Sequence, residues 1–314
     1  MNLSFSTRGR LETPWPELVR LAGENGFAGI EVYDAWKDTT LTGPGGALHR
    51  YNCAATLRGL RDQLLSIPVF DSSCNVGFGD AETLDRVRFL IELAHAMQTE
   101  YVAIRSEQTD PVLLGRDLDA LLPLAAEKKV VLLLKTNGVF SDTAKLRALL
   151  DDYAVDSLGV LWDIHHTCRD AGEQPDETIT NLGAYIKHVH LRDSDESGNY
   201  TLVGEGSLPL GDVMRALYSV DYAGFLSLEW KFEWMEELPE LDVILPHFVT
   251  YMHRFASTRG KKKMLYPNHD GTGQYVWTGI TRTTRSPSFK RSATTYFSSF
   301  LFCLAISPIR SFSS

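Results

Sequence analysis

Eight short apolar runs recur along residues 1–256, and a segment with apolar positions at helical spacing follows each one. The runs cover residues 3–6, 29–34, 67–71, 101–105, 130–134, 158–162, 186–191 and 225–228. Several read as continuous apolar stretches rather than alternating ones, the mark of strands buried on both faces. Pro14 and Pro16 open the first helix, which carries Leu18, Val19, Leu21 and Ala22 at helical spacing, and Gly26 closes it. Asp80 caps a helix to residue 97 with Leu84, Val87, Leu90, Ile91 and Ala94 on one face. Further helices are expected over 56–65, 111–127, 143–153, 175–184, 208–220 and 238–255.

Helical crossovers between consecutive strands require a parallel sheet. Eight such repeats predict an α/β protein, a closed (β/α)8 TIM barrel, with an open doubly wound sheet as the alternative. A barrel of this kind works at the C-terminal ends of its strands. The polar residues at those ends are Glu31 and Asp34, Asp71, Arg105 and Glu107, Lys135, Asp163, His190 and Glu229. Residues 158–230 are the richest stretch, because three strands there end in His and carboxylate side chains. A divalent cation is the economical reason to gather such groups.

Charge narrows the range of partners. Residues 257–314 hold nine Lys and Arg against one acid, Asp270, and carry +8, which leaves −17 on residues 1–256. An acidic body is a poor match for nucleic acid. The four cysteines, Cys53, Cys74, Cys168 and Cys303, form no CxxC pair and read as free thiols of a cytoplasmic protein. The N-terminus has no apolar core of signal-peptide length, and the apolar run 296–306 is too short to span a bilayer. The glycine-rich loop 42–46 lacks the GK[ST] ending of a P-loop. Residues 257–314 are expected to form a disordered or loosely packed extension outside a 1–256 barrel.

The stretches 158–166 and 186–193, with Gly204-Glu205-Gly206-Ser207-Leu208-Pro209 and 224–230, together resemble the sugar phosphate isomerase/epimerase family with its xylose isomerase-like TIM barrel. The resemblance implies one divalent cation (Mn²⁺, Mg²⁺ or Co²⁺) held by a Glu, Asp, His, Glu set at the ends of strands five to eight. Carried over, Asp163, His190 and Glu229 match the last three ligands. His166 stands where the family has a substrate-contacting histidine, and Arg192, following the metal-binding histidine, is expected to face a substrate oxygen; from their own positions Glu31 and Trp230 are further expected substrate contacts. The first ligand departs from the family: Lys135 stands where it has Glu. Two positive centres a few Å apart repel by about 4 kcal/mol at an effective dielectric near 20, so the departure is expected to weaken cation binding.

Individual residues keep more than one reading. Asp163 alternatively caps the helix after its strand, and His165 is either structural or behind the ligands. Only His190 is expected inside the barrel, with His188 packed on the opposite face. Trp162, Trp230 and Trp234 suit either a sugar-binding pocket or the core. Lys135 is a general-base or Schiff-base lysine, an outward-pointing residue, or a charge substitute paired with Asp163 and Glu229, which is the preferred reading. The expected activity is isomerisation or epimerisation of a sugar or polyol through an enediolate, with Glu229, Lys135 and His166 as the catalytic groups. The alternatives are a lyase or dehydratase, a C-glycoside-cleaving enzyme, or a metal-free sugar-binding barrel. No membrane partner is expected, and homo-oligomer formation stays open.

Overall fold

The computed structural model describes residues 1–9, 13–36, 38, 40–230 and 241–256. Residues 257–314, Trp234 and the expected start of the last helix at 238–240 lie outside the described residues. Met1–Lys261 forms one compact unit. Its strands are β1 (Asn2–Ser6), β2 (Gly29–Tyr33), β3 (Val69–Asn75), β4 (Tyr101–Arg105), β5 (Val131–Lys135), β6 (Leu158–Asp163), β7 (Ile186–Leu191) and β10 (Phe225–Leu228), with a small hairpin of β8 (Asp193–Ser194) and β9 (Tyr200–Thr201) between the last two. The eight long strands close in the order β1-β10-β7-β6-β5-β4-β3-β2, every neighbour parallel. The expected (β/α)8 barrel is therefore the fold.

The helices fall close to their expected places: α1 (Trp15–Glu24), α2 (Cys53–Asp62), α3 (Ala81–Ala96), α4 (Pro111–Lys128), α5 (Thr143–Tyr153), α6 (Pro175–Leu182), α7 (Leu210–Ser219) and α8 (Leu241–Ala256). Local chemistry marks several ends. Asp80 accepts from the Thr83 amide at 2.9 Å, and Asp110 from the Val112 amide at 2.8 Å just before Pro111. The expectation was poorest at β3, which runs on to Asn75. Its register against β4 shifts between Asp71 and Asn75, a bulge that carries Ser73 at φ +54°.

Strand side chains alternate between two cores. Phe5, Ile30, Phe70, Val102, Leu134, Trp162, Val189 and Leu228 face outward and pack with the helices. Val69, Ala103, Leu133 and Leu161 form a separate buried cluster inside the barrel. The interior is thus apolar along β3 to β6. On the other half its inward positions carry Ser4, Glu31, His188, His190 and Ser227, all fully buried.

The Gly204–Pro209 motif wraps a buried carboxylate. Asp193 accepts from the amides of Ser194, Gly204, Gly206 and Leu208 at 2.9–3.2 Å. A Cβ on Gly206 would sit 2.2 Å from Asp193 Oδ1, and one on Gly204, at φ +94°, 2.1 Å from the Tyr251 ring. This loop follows the β8–β9 hairpin that flanks the barrel mouth. Asp193→Ala strands several partly buried amides at about 1–3 kcal/mol each. A loss of roughly 3 kcal/mol in urea unfolding is the expected result, and a loss under about 1 kcal/mol would show the loop to be held by other contacts.

Candidate active site

The site forms where the inward positions of β6, β7 and β10 reach the C-terminal end of the barrel. Asp163 ends β6, His190 lies near the end of β7, and Glu229 follows β10, donating its amide to Leu191 O at 3.0 Å. Asp163, His190 and Glu229 are buried and offer ligand atoms within 4.8 Å of one another. Thr136 Oγ1 accepts the Asp163 amide at 2.8 Å. Asp163 Oδ1 caps the His165 amide at 3.2 Å, so the helix-capping role expected as an alternative coexists with an Oδ2 turned to the site.

Glu31 lies deeper and is fully buried. Its Oε2 accepts from His190 Nε2 at 2.9 Å and from His188 Nε2 at 3.0 Å. The expectation that His188 faces away from the barrel interior is therefore wrong. Residues two apart in a strand share a face, so both imidazoles point inward. Burial alone would raise the Glu31 carboxyl, but His190 and His188 hold it well below the usual carboxylate range. The same Glu31 raises the His190 imidazole against the opposing effect of burial, whereas burial lowers His188. Glu31, expected as a substrate contact, is thus fully buried against His188 and His190.

Lys135 points inward, but not to the expected partners. Its ammonium pairs with Asp71 of β3 instead of with Asp163 and Glu229. Asp71 precedes the bulge and keeps an ordinary register opposite Ala103, so the two-residue alternation turns it inward from Val69, and the long Lys135 side chain reaches it past β4. Burial opposes its charge, but Asp71, Glu229 and Glu31 outweigh that and raise the Lys135 ammonium above its ordinary value. A neutral nucleophilic amine is not what this pocket makes.

The charge partner of Asp163 and Glu229 is Arg192. One nitrogen lies 2.7 Å from Asp163 Oδ2 and another bonds Glu229 Oε2, while Tyr200 lies 5.9 Å from the guanidinium. Arg8, after β1, reaches Glu229 Oε1 at 2.6 Å. Burial would raise the Glu229 carboxyl, but Arg192, His190, Lys135 and Arg8 hold it far below its ordinary value. Asp163 is lowered by Arg192 and then His166 despite burial. Arg8 and Tyr200 were missed as site residues, while Asp71 was noted only as a polar strand-end residue and His188 was placed on the wrong face. Asp71 is an inward position of β3 and Arg8 closely follows β1, so both were open to the same positional argument; Tyr200 lies in the short β8–β9 hairpin, which no apolar run announces.

His166 stands on the rim, its Nε2 3.8 Å from Asp163 Oδ2 and its Nδ1 2.5 Å from Asp170. Trp162 is core, donating Nε1 to Thr167 at 3.0 Å. Trp230 is 5% exposed and borders a small cleft lined also by Glu229, Arg192, Tyr200, Leu202 and Ile244. Asp34 and Arg105 make rim pairs, with Arg86 and Glu107 respectively.

The donor set suits a divalent cation. Two carboxylates and an imidazole converge, and His190 Nδ1 is buried with no hydrogen-bond partner. The Arg192 guanidinium contends with a cation for the same oxygens.

His165 gives the site a pH signature. It is 8% exposed, with neither ring nitrogen hydrogen-bonded, and burial, with Arg192 behind it, pushes it down to about 4. Between about 4 and about 6.5 the unfolded chain holds a proton that the native protein does not. Stability therefore falls as pH drops through that window, by at most about 3 kcal/mol from this residue. His165→Phe should flatten the pH dependence of urea unfolding there; an unchanged slope would show that His165 is protonated in the native protein.

Residues 19–243 match the model of the xylose isomerase-like TIM barrel. Fructoselysine 3-epimerase of Shigella flexneri is 24% identical over 266 residues, covering 76% of this chain and 92% of that protein. Among solved structures, the probable 3-DHS dehydratase AsbF of Bacillus anthracis superposes with a TM-score of 0.63 at 19% identity, covering 81% of this chain and 99% of that one. D-psicose 3-epimerase with D-tagatose from Clostridium cellulolyticum H10 gives a TM-score of 0.64 at 12% identity, with 81% and 99% covered. The two structures share the fold; the family match spans most of the barrel. The chain belongs to the xylose isomerase-like TIM-barrel family.

Proposed function

We propose that this protein is a sugar isomerase or epimerase that shifts a proton beside a carbonyl through an enediolate, with a divalent cation (Mn²⁺, Mg²⁺ or Co²⁺) held by Asp163, His190 and Glu229. The convergence of those three side chains, with His190 Nδ1 unpartnered among them, carries the reading. The epimerase relatives support the substrate class. A cation held there supplies a Lewis acid that acidifies the C–H next to the carbonyl.

The chain's own residues do the rest. Arg192 and His166 hold substrate oxygens, with Trp230 and Tyr200 along the cleft. When Arg192 turns from Asp163 and Glu229 to a substrate oxygen, its lowering effect on Glu229 goes with it. Glu229 then becomes a better base for the C–H proton. Lys135, held protonated by Asp71, sets a fixed positive charge toward the enediolate oxygens. No helix among the described residues is long and apolar enough to cross a membrane, and the three described cysteines are unpaired, in keeping with a cytoplasmic enzyme of small sugars or polyols.

A protonated Lys135 equally suits a dehydratase, as the acid for a departing hydroxide. Incubation with ketoses, inososes and glycosides separates the two by product mass: an epimer keeps the mass and a dehydration product loses water. Lys135→Glu tests the cation. It sets a carboxylate beside Asp71, so the metal-free variant should melt below wild type. Its Mn²⁺ affinity should rise by about tenfold or more, worth about 1.4 kcal/mol, with higher ketose epimerisation. If neither affinity nor activity rises in calorimetric titration and assay, Lys135 does not stand at the missing ligand corner.

A further inference from the structure

We propose that Glu31 is a positioning residue that sets the tautomer of His190, so that a bare Nδ1 faces Asp163 and Glu229. The inference rests on the cation reading of that site and names what prepares its nitrogen ligand.

An ionised carboxylate only accepts hydrogen bonds. Glu31 Oε2 lies 2.9 Å from His190 Nε2 and 3.0 Å from His188 Nε2. Each imidazole must therefore carry a proton on Nε2. A neutral imidazole has one ring proton, so Nδ1 of each is then a lone pair. His190 Nδ1 is buried without a hydrogen-bond partner and lies 3.7 Å from Glu229 Oε1. The opposite tautomer would aim a lone pair at the Glu31 oxygen and an N–H at the place a cation would take. A carboxylate behind a ligating imidazole also makes the ring a stronger donor.

His188 has its own part in this. It lies two residues earlier on the same face of β7, and its ring sits 5.6 Å from that of His190 at 81°. It donates to the same Glu31 oxygen, so the carboxylate is held from below as well as from the side. Glu31 Oε1, His188 Nδ1, Ser4 Oγ and Ser227 Oγ are also buried without hydrogen-bond partners. The β-strand register places Ser4 beside Ser227 and Ser227 beside His190. The half of the barrel interior behind His190 is thus polar, and Glu31 is the acceptor its imidazoles share.

Long-range ¹H–¹⁵N spectra of ¹⁵N-histidine-labelled full-length protein, free of metal and in mildly alkaline buffer, read the tautomer directly, with His190→Gln assigning the signal. The expected result is Nε2–H for His190 in wild type and a mixture of tautomers in Glu31→Gln. In calorimetric titration with Mn²⁺, Glu31→Gln should bind about ten- to hundredfold more weakly than wild type, with an unchanged circular dichroism spectrum. An Nδ1–H His190 in wild type overturns the proposal, and so does a Glu31→Gln variant that binds Mn²⁺ as tightly as wild type. Should Glu31→Gln fail to fold, the wild-type spectrum alone decides. A wild type that binds no Mn²⁺ removes the cation reading, while the metal-free spectra still decide whether Glu31 orients the ring.

Discussion

The structure depends on how four carboxylates are kept charged inside a barrel. Glu31, Asp71, Asp163 and Glu229 are each at most 2% exposed. An isolated buried carboxylate would neutralise, or would cost several kcal/mol. Each here has a cationic or imidazole partner: Lys135 for Asp71, Arg192 for Asp163 and Glu229, Arg8 for Glu229, and His188 and His190 for Glu31. Removing one partner leaves a buried charge uncompensated, so these residues are coupled and substitutions among them should not add. The same compensation leaves Asp163 and Glu229 charge-balanced by Arg192, so a cation bound at these oxygens would have to displace it. Arg192 and the cation are alternatives at the same two oxygens.

The barrel was legible in the sequence because its signals are local and repeated. Each strand is a short apolar run, each helix has its own face, and the alternation leaves few topologies open. The strand ends were legible for the same reason, and so Asp163, His190 and Glu229 could be singled out together. What failed was non-local. The pairing of Asp71 with Lys135 joins two strands that are not neighbours, and no pattern within either strand shows it. The pairing of Arg192 with Asp163 and Glu229 was not anticipated either, because it depends on the reach of a long side chain rather than on spacing.

His188 is a different failure. Its inward position follows from that of His190 by the two-residue period of a strand. Applied to every strand, the same parity marks Ser227, two before Glu229, and Leu161, two before Asp163, as interior. It also exposes the split between the apolar half at β3 to β6 and the polar half at β1, β2, β7 and β10.

That split bears on why a lysine is tolerated at the end of β5. Asp71 lies within reach of it from β3, and the ion pair closes the apolar side of the interior at the level of the site. A glutamate in place of Lys135 would face Asp71 directly and require a cation for balance. With lysine, the β3–β5 side is neutral by itself, and the demand for a cation falls on Asp163, His190 and Glu229 alone, where Arg192 already meets part of it. Any cation bound here must win its place against an arginine, and substrate that draws Arg192 away would favour it. A cation and a sugar bound together would thereby be linked through one side chain, and each would tighten the other.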